Sequence, residues 1–254
     1  MAALFTPDGD TMVPGELTRG PWDPDAQHGG PVAALLARAV EGVEAPAPMQ
    51  VVRLTVELLR PVPLTPLRVS AEVSRPGRKV QLVDASLASG AQEVARARAL
   101  RIRVAEVDVP RQVAQPPSPP VPDGPGPSLS PRTAFAQAVD LRFVRGRWEE
   151  LGPVTMWSRL VVPVVEGEKT TALQRTAAAA DFGNGVSRIV DFDTHTFINP
   201  DLTVSLFRVP EGEWIGFDVV SRLSDRGFGH SESLIFDAAG PVGRAVQSLV
   251  VDTR

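Results

Sequence analysis

Gln27-His28-Gly29-Gly30-Pro31-Val32-Ala33-Ala34-Leu35-Leu36-Ala37-Arg38-Ala39-Val40-Glu41 is the stretch around which the chain is organised. Gly30 suits an open helix N-cap, Pro31 the first helical position and Gly42 a left-handed stop, which predicts a helix over 31–41. Between Pro31 and Glu41 only Arg38 and Glu41 are polar, so the helix is apolar nearly all round. At ~1.5 Å per residue it is about 16 Å long, too short to span a membrane and too short to persist alone in water. Such a helix must be enclosed, and the chain after it reads as strands able to enclose it. Gly29 and Gly30 are expected to leave the first N–H groups uncovered by side chains, a seat for an oxygen carrying negative charge.

The 254 residues carry a net charge of −4, which argues against a general nucleic-acid or anionic-membrane surface. There is no cysteine, so disulfides, thiolate metal sites and thiol nucleophiles are excluded. The opening Met-Ala-Ala-Leu-Phe-Thr-Pro lacks the basic and apolar regions of a signal peptide, and no stretch approaches 18 apolar residues; a cytoplasmic protein without membrane partners is expected. Residues 110–131 hold nine of the 25 prolines and no hydrophobic period. They read as an extended connector between an N-terminal unit, 1–109, and a C-terminal unit, 132–254.

The two halves repeat. Arg53-Leu-Thr-Val-Glu-Leu-Leu-Arg60 aligns with Asp201-Leu-Thr-Val-Ser-Leu-Phe-Arg208, and Val73-Ser-Arg75 with Val220-Ser-Arg222. Val80–Leu87 and Gly90–Ile102 correspond to His230–Asp237 and Gly240–Val250, and an Ala-rich helix is predicted over 171–181 to match the first. Each half reads as a helix followed by four strands joined at glycine turns, with a strand or two before the helix in 10–20 and 141–164. Short turns make the sheets antiparallel. The predicted class is therefore α+β: one buried helix wrapped by a long antiparallel sheet, present twice in tandem, a double hotdog.

Gly20-Pro-Trp-Asp-Pro-Asp-Ala-Gln-His-Gly-Gly30, Asn199-Pro-Asp-Leu-Thr-Val-Ser-Leu-Phe-Arg208, Glu213-Trp214 and Gly240-Pro-Val-Gly-Arg-Ala-Val-Gln247 together resemble the TesB-type acyl-CoA thioesterases over about 20–105 and 170–254. The resemblance implies acyl-CoA as substrate, a place in lipid metabolism and no cofactor; homo-oligomers of double-hotdog subunits stay open. It implies that an Asp, a Thr or Ser and a Gln of the second half hold the water that attacks the thioester. Carried over by position these are Asp201, Ser221 and Gln247, with Ser224 close to Ser221. His28, ahead of Gly29-Gly30, departs from better-known members and joins them as a substrate-binding candidate.

The repeat bears on this assignment. The first-half counterparts of Asp201 and Gln247 are Arg53 and Ala99, as expected if chemistry was added to one half only, whereas Ser221 is matched by Ser74. Strand alternation puts Asp201, Thr203 and Ser205 on one face and Leu202, Val204 and Leu206 on the other. His28, His195 and His230 form no metal-ligand spacing, and no G-x-S-x-G elbow occurs. Asp181 reads as a solvated helix end. Arg60, Arg75, Arg78 and Lys79 are solvated surface or partners for coenzyme A phosphates. Trp157, Phe192, Phe197, Phe207 and Trp214 are expected to set pocket depth. Two alternatives stand beside hydrolysis: an acyl-thioester dehydratase or hydratase, which needs His28 to meet Asp201 or Asp181, and an acyl-CoA-binding module without chemistry.

Overall fold

A computed structural model describes residues 2–109, 117–124, 126 and 134–254. Most of the connector expected over 110–131 lies outside these residues. The first half runs β1 (Phe5–Asp8), β2 (Thr11–Pro14), α1 (Gly29–Glu41), β3 (Met49–Leu58), β4 (Leu67–Arg75), β5 (Val80–Ser89) and β6 (Gln92–Arg103). The second runs β7 (Val139–Arg145), β8 (Val154–Leu160), α2 (Ala172–Ala180), α3 (Gly183–Val186), β9 (His195–Ile198), β10 (Asp201–Leu206), β11 (Ile215–Leu223), β12 (Phe228–Asp237) and β13 (Gly240–Thr253).

All strands belong to one antiparallel sheet in the order β1-β2-β4-β5-β6-β3-β10-β13-β12-β11-β8-β7, with β9 added beside β13. The order of the second half mirrors that of the first about the β3–β10 pair. There Thr55 lies opposite Thr203, and their hydroxyls are 3.1 Å apart. These two threonines are the same residue of the Leu-Thr-Val repeat, so the pseudo-two-fold axis passes between them. Edge pairing of the two halves removes the open strand edge that each would expose alone.

Packing explains the helices. Val32 to Ala37 and Val40 are fully buried in α1. Gly30 lets α1 lie close to α2, because a Cβ there would stand 2.5 Å from the Ala178 carbonyl oxygen and 2.7 Å from the Phe135 ring. The alanines of α2, Ala177 to Ala180, serve the same approach from the other side. Glu41, at the end of α1, accepts the Thr171 hydroxyl at 2.7 Å and the Gln174 amide at 3.2 Å, tying one helix end to the start of the other.

Three local expectations are corrected. The helix begins at Gly29, and its cap is His28, whose Nδ1 lies 3.1 Å from the Gly30 N–H. An imidazole nitrogen is outside the usual cap residues, which is why glycine was read as the cap. Gly42 is right-handed, φ −72° and ψ −13°, rather than left-handed. The second helix ends at Ala180, and a further turn, α3, follows before β9. No helix among the described residues is long and apolar enough to cross a membrane.

Candidate active site

A cavity of about 670 Å³ opens where the halves meet. The first half supplies Trp22, His28, Gly29 and Arg60 to its wall, and the second supplies Asp181, Phe182, Arg188, Phe192 and Asn199. Its volume is within the range of small-molecule sites. Apolar rings make much of the wall. Trp22 packs 5.4 Å from Phe192 and 5.1 Å from Phe197, and Phe192 is 6.2 Å from Trp148.

Asp181 is the chemical centre of that wall. It caps the C-terminus of α2 and is 3% exposed. Its Oδ1 accepts the Asn199 amide at 2.7 Å and the Gln247 amide at 3.2 Å; its Oδ2 lies 2.8 Å from His28 Nδ1. Gln247 is fixed at both ends, because its Oε1 accepts the Asn184 N–H at 3.1 Å while its Nε2 faces Asp181. Four elements therefore converge on one carboxylate: the start of α1, the end of α2, the β9–β10 turn and β13. Gly29 completes the contact. A Cβ on it would stand 2.7 Å and 2.9 Å from the two Asp181 oxygens, so the carboxylate lies directly over the bare Cα.

One nitrogen of His28 faces two groups. An imidazole nitrogen carries a proton or a lone pair, never both, so Nδ1 cannot accept from Gly30 and donate to Asp181 together. The 2.8 Å contact is the shorter and involves the carboxylate, which assigns the proton to the line between Nδ1 and Oδ2. The ring is held from its sides by Phe135 and Phe182, each 5.0 Å away.

Of the residues expected from sequence, the structure gathers Gln247, His28 and Gly29 at Asp181. Gly30 lies between the helices instead, with its N–H against His28. Asp201 is not in this group. Its Oδ1 accepts the Ser248 N–H at 2.6 Å, on the face of the sheet opposite Gln247, since Gln247 points inward with Ala245 and Leu249. Ser221 is buried, but its hydroxyl is 2.7 Å from that of Ser187, which in turn donates to the Gly183 carbonyl at 2.8 Å. Ser221 thus steadies α3 from below and has no contact with Asp181. Ser224 sits in an exposed turn, where its hydroxyl accepts the Arg226 N–H.

From sequence, Asp181 reads as a solvated helix end, or as the partner that His28 needs in a dehydratase, and Asn199 carries no role. A helix-end aspartate is ordinarily solvated; here the signal was its setting, four alanines on one side and Phe182-Gly183 on the other, which leaves a carboxylate no route to water except a cavity. Asn199 stood in the motif beside Asp201, which drew the attention. Among the expected pocket aromatics, Phe192 lines the cavity and Phe197 backs it. Trp157 is packed edge-on to Phe236, Phe207 is 62% exposed, and Trp214 lies under Arg142 and Arg159. No group of three His, Asp or Glu able to hold a metal occurs among the described residues.

Family comparisons agree with this architecture. The acyl-CoA thioesterase N-terminal domain matches residues 18–102, and the acyl-CoA thioesterase C-terminal domain matches residues 110–251. No curated protein sequence matches the chain. Among solved structures, the TesB protein of Mycobacterium avium subsp. paratuberculosis superposes with a TM-score of 0.71 at 16% identity, covering 98% of this chain and 95% of that one. An acyl-CoA thioesterase II, TesB2, from Mycobacterium marinum gives 0.65 at 19%, covering 90% of each chain. A conserved protein of unknown function with a hot dog fold from Alicyclobacillus acidocaldarius gives 0.74 at 17%, covering 98% and 95%. These likenesses are of fold. With both family domains matched in order across its two halves, the chain belongs to the TesB-type acyl-CoA thioesterases.

Proposed function

We propose that this thioesterase hydrolyses acyl-CoA through a water handled by Asp181, with His28, Asn199 and Gln247 holding the carboxylate in place. The observation that carries this reading is a buried carboxylate in a cavity wall whose three side-chain partners come from both halves of the chain. Asp181 takes a proton from water as the water oxygen attacks the thioester carbonyl. The carbonyl oxygen then gains negative charge, and the N–H of Gly29, at the start of α1, is the donor best placed to meet it. Collapse breaks the C–S bond, and the proton held on Asp181 leaves with the sulfur of coenzyme A. The mostly apolar wall strengthens each of these polar contacts by excluding water.

Release of free CoA from a series of acyl-CoAs, measured with the parent and with Asp181→Asn, tests the assignment. A second reading is favoured by one contact. The 2.8 Å approach of His28 to Asp181 is the His–Asp pair that a hydratase acting on an acyl thioester needs. It is separated from hydrolysis by offering crotonyl-CoA. Loss of the enoyl absorbance without free CoA marks hydration, and free CoA marks hydrolysis.

A further inference from the structure

Arg188 follows α3 and is 8% exposed, yet it lines the cavity. Its guanidinium carbon is 5.3 Å from the Trp148 ring centroid and 5.2 Å from that of Phe192, against a pair of rings that are themselves 6.2 Å apart. Its Nη1 donates to the Trp148 carbonyl at 2.7 Å. Nε is buried with no partner, and Nη2 has no hydrogen bond to any described residue. Asp191 and Glu149 act on it electrostatically, but neither makes an ion pair with it; Asp23, Asp191 and Asp193 also line the cavity.

Arg101 shows what a buried structural arginine does in the same protein. It is 3% exposed, and its two amino groups are spent on the Val43 and Glu44 carbonyls and the Gln81 amide oxygen. Arg188 leaves an amino group unspent, and leaves it at a cavity. Desolvating a cation without a carboxylate in ion-pair contact is costly, and burial depresses the Arg188 pKa, with Asp191 and Glu149 opposing this only in part. The cost is recovered when an anion arrives, because a charge-assisted hydrogen bond among apolar rings is strong. Arg188 is seven positions beyond Asp181 along mostly helical chain, roughly 10 Å at ~1.5 Å per residue. An anion on Arg188 is therefore remote from the scissile carbonyl.

We propose that Arg188 is an anion seat at the end of the substrate cavity remote from Asp181, holding an oxyanion carried by the acyl-CoA itself. This rests on the thioesterase reading. Two parts of the substrate offer that chemistry: a carboxylate at the far end of the acyl group, or a phosphate of coenzyme A. Arg188 is in either case a specificity residue rather than a participant in bond breaking.

Four thioesters separate the cases: hexanoyl and adipoyl groups, each on coenzyme A and on N-acetylcysteamine, which has no phosphate. The readout is kcat/KM for Arg188→Met relative to the parent, with Arg188→Lys as the variant that keeps a cation. If the seat takes the acyl carboxylate, Arg188→Met loses about 10- to 100-fold more on both adipoyl thioesters than on the hexanoyl ones. If it takes a phosphate, the excess loss falls on both CoA thioesters instead. Arg188→Lys restores part of whichever preference is lost. An equal change on all four substrates, in a variant of parental melting temperature or a destabilised one, overturns the seat and leaves Arg188 as a pin for Trp148. A parent that releases thiol from none of the four overturns the thioesterase reading as well.

Discussion

Asp181, from the second half of the chain, reaches across the interface to His28 of the first, with Oδ2 2.8 Å from Nδ1. The two residues are 153 positions apart in sequence (181 − 28) and become neighbours only because α1 and α2 lie side by side. Asp181→Asn removes basicity while nearly preserving shape, and is expected to lower kcat/KM for acyl-CoA by ~10²-fold or more. The new amide also faces the donors of Asn199 and His28, so a loss of about 1–2 kcal/mol of stability should accompany it. Asp201→Asn is the companion measurement. Its carboxylate only accepts the Ser248 N–H, which an amide oxygen can also accept, so turnover and melting temperature should stay near those of the parent. The reverse outcome, with Asp201→Asn inactive, would move the water to the other face of the sheet.

The fold was legible because the repeat is a packing solution written twice. Leu-Thr-Val in both halves marks the pair of strands at the axis, and each apolar or alanine-rich helix precedes its own four strands. The site was less legible, for a physical reason. Gln247 could be found by asking what the second half has that the first lacks, since a buried glutamine on a strand needs partners. Asp181 is harder to read, because its burial depends on a cavity formed by the other half, and only the alanines before it and Phe182-Gly183 after it set it apart from a solvated helix end. Strand alternation correctly separated Asp201 from Leu202, but which face held the cavity required the tertiary structure.

His28→Asn separates the hold on Asp181 from the integrity of α1. Asparagine is among the best caps, so it should satisfy the Gly30 N–H and keep α1 intact. Being shorter, it should fail to hold Asp181 Oδ2. Thermal stability within about 1 kcal/mol of the parent is expected, with kcat reduced by ~10-fold or more. Complete loss of thioester hydrolysis together with loss of crotonyl-CoA hydration would instead identify His28 as the base.

Glu41 gives the fold a pH dependence of definite sign. Burial raises its carboxyl pKa above the ordinary value, and the hydrogen bonds from Thr171 and Gln174 only partly oppose this. A carboxyl with a raised folded-state pKa binds its proton more tightly in the native state. Its contribution is thus fully present below about pH 4, the unfolded value, and is lost as pH rises through the folded value. Glu41→Gln keeps an oxygen for both donors and removes the buried charge. Its melting temperature should exceed that of the parent at pH 7–8, and the gap should close as the pH falls below about 4. A gap that is constant with pH would show that the charge is not what Glu41 costs.

The β3–β10 pairing and the shared cavity imply that neither half works alone. Residues 1–109 and 132–254 produced as separate chains are expected to co-purify as a 1:1 complex with thioesterase activity, because the strand pairing and the α1–α2 contact do not depend on the connector. Each chain expressed singly should aggregate or remain inactive, since it exposes an unpaired central strand and lacks one side of the Asp181 site. Two independent monomers, each hydrolysing acyl-CoA, would contradict the shared site.

Gly29 and Gly30 are adjacent, and replacing each with alanine should fail in different ways. At Gly29 the added methyl would meet the Asp181 carboxylate at 2.7–3.0 Å. That neighbour is the end of a side chain, so it can move, and the backbone is helical, where alanine is the better residue by about 1 kcal/mol. Gly29→Ala should therefore fold with nearly parental stability but with Asp181 displaced, and kcat should fall by ~10-fold or more while KM changes little. At Gly30 the methyl would meet the Ala178 carbonyl oxygen at 2.5 Å and the Phe135 ring at 2.7 Å. A backbone oxygen cannot turn aside, so α1 and α2 must separate, at a cost of about 1–3 kcal/mol for overpacking a well-fitted contact. Gly30→Ala should be read in the melting temperature first, with activity lost as the fold is lost. If Gly29→Ala instead hydrolyses acyl-CoA like the parent, the carboxylate over that Cα is not where the water is held, and the start of α1 serves the core alone.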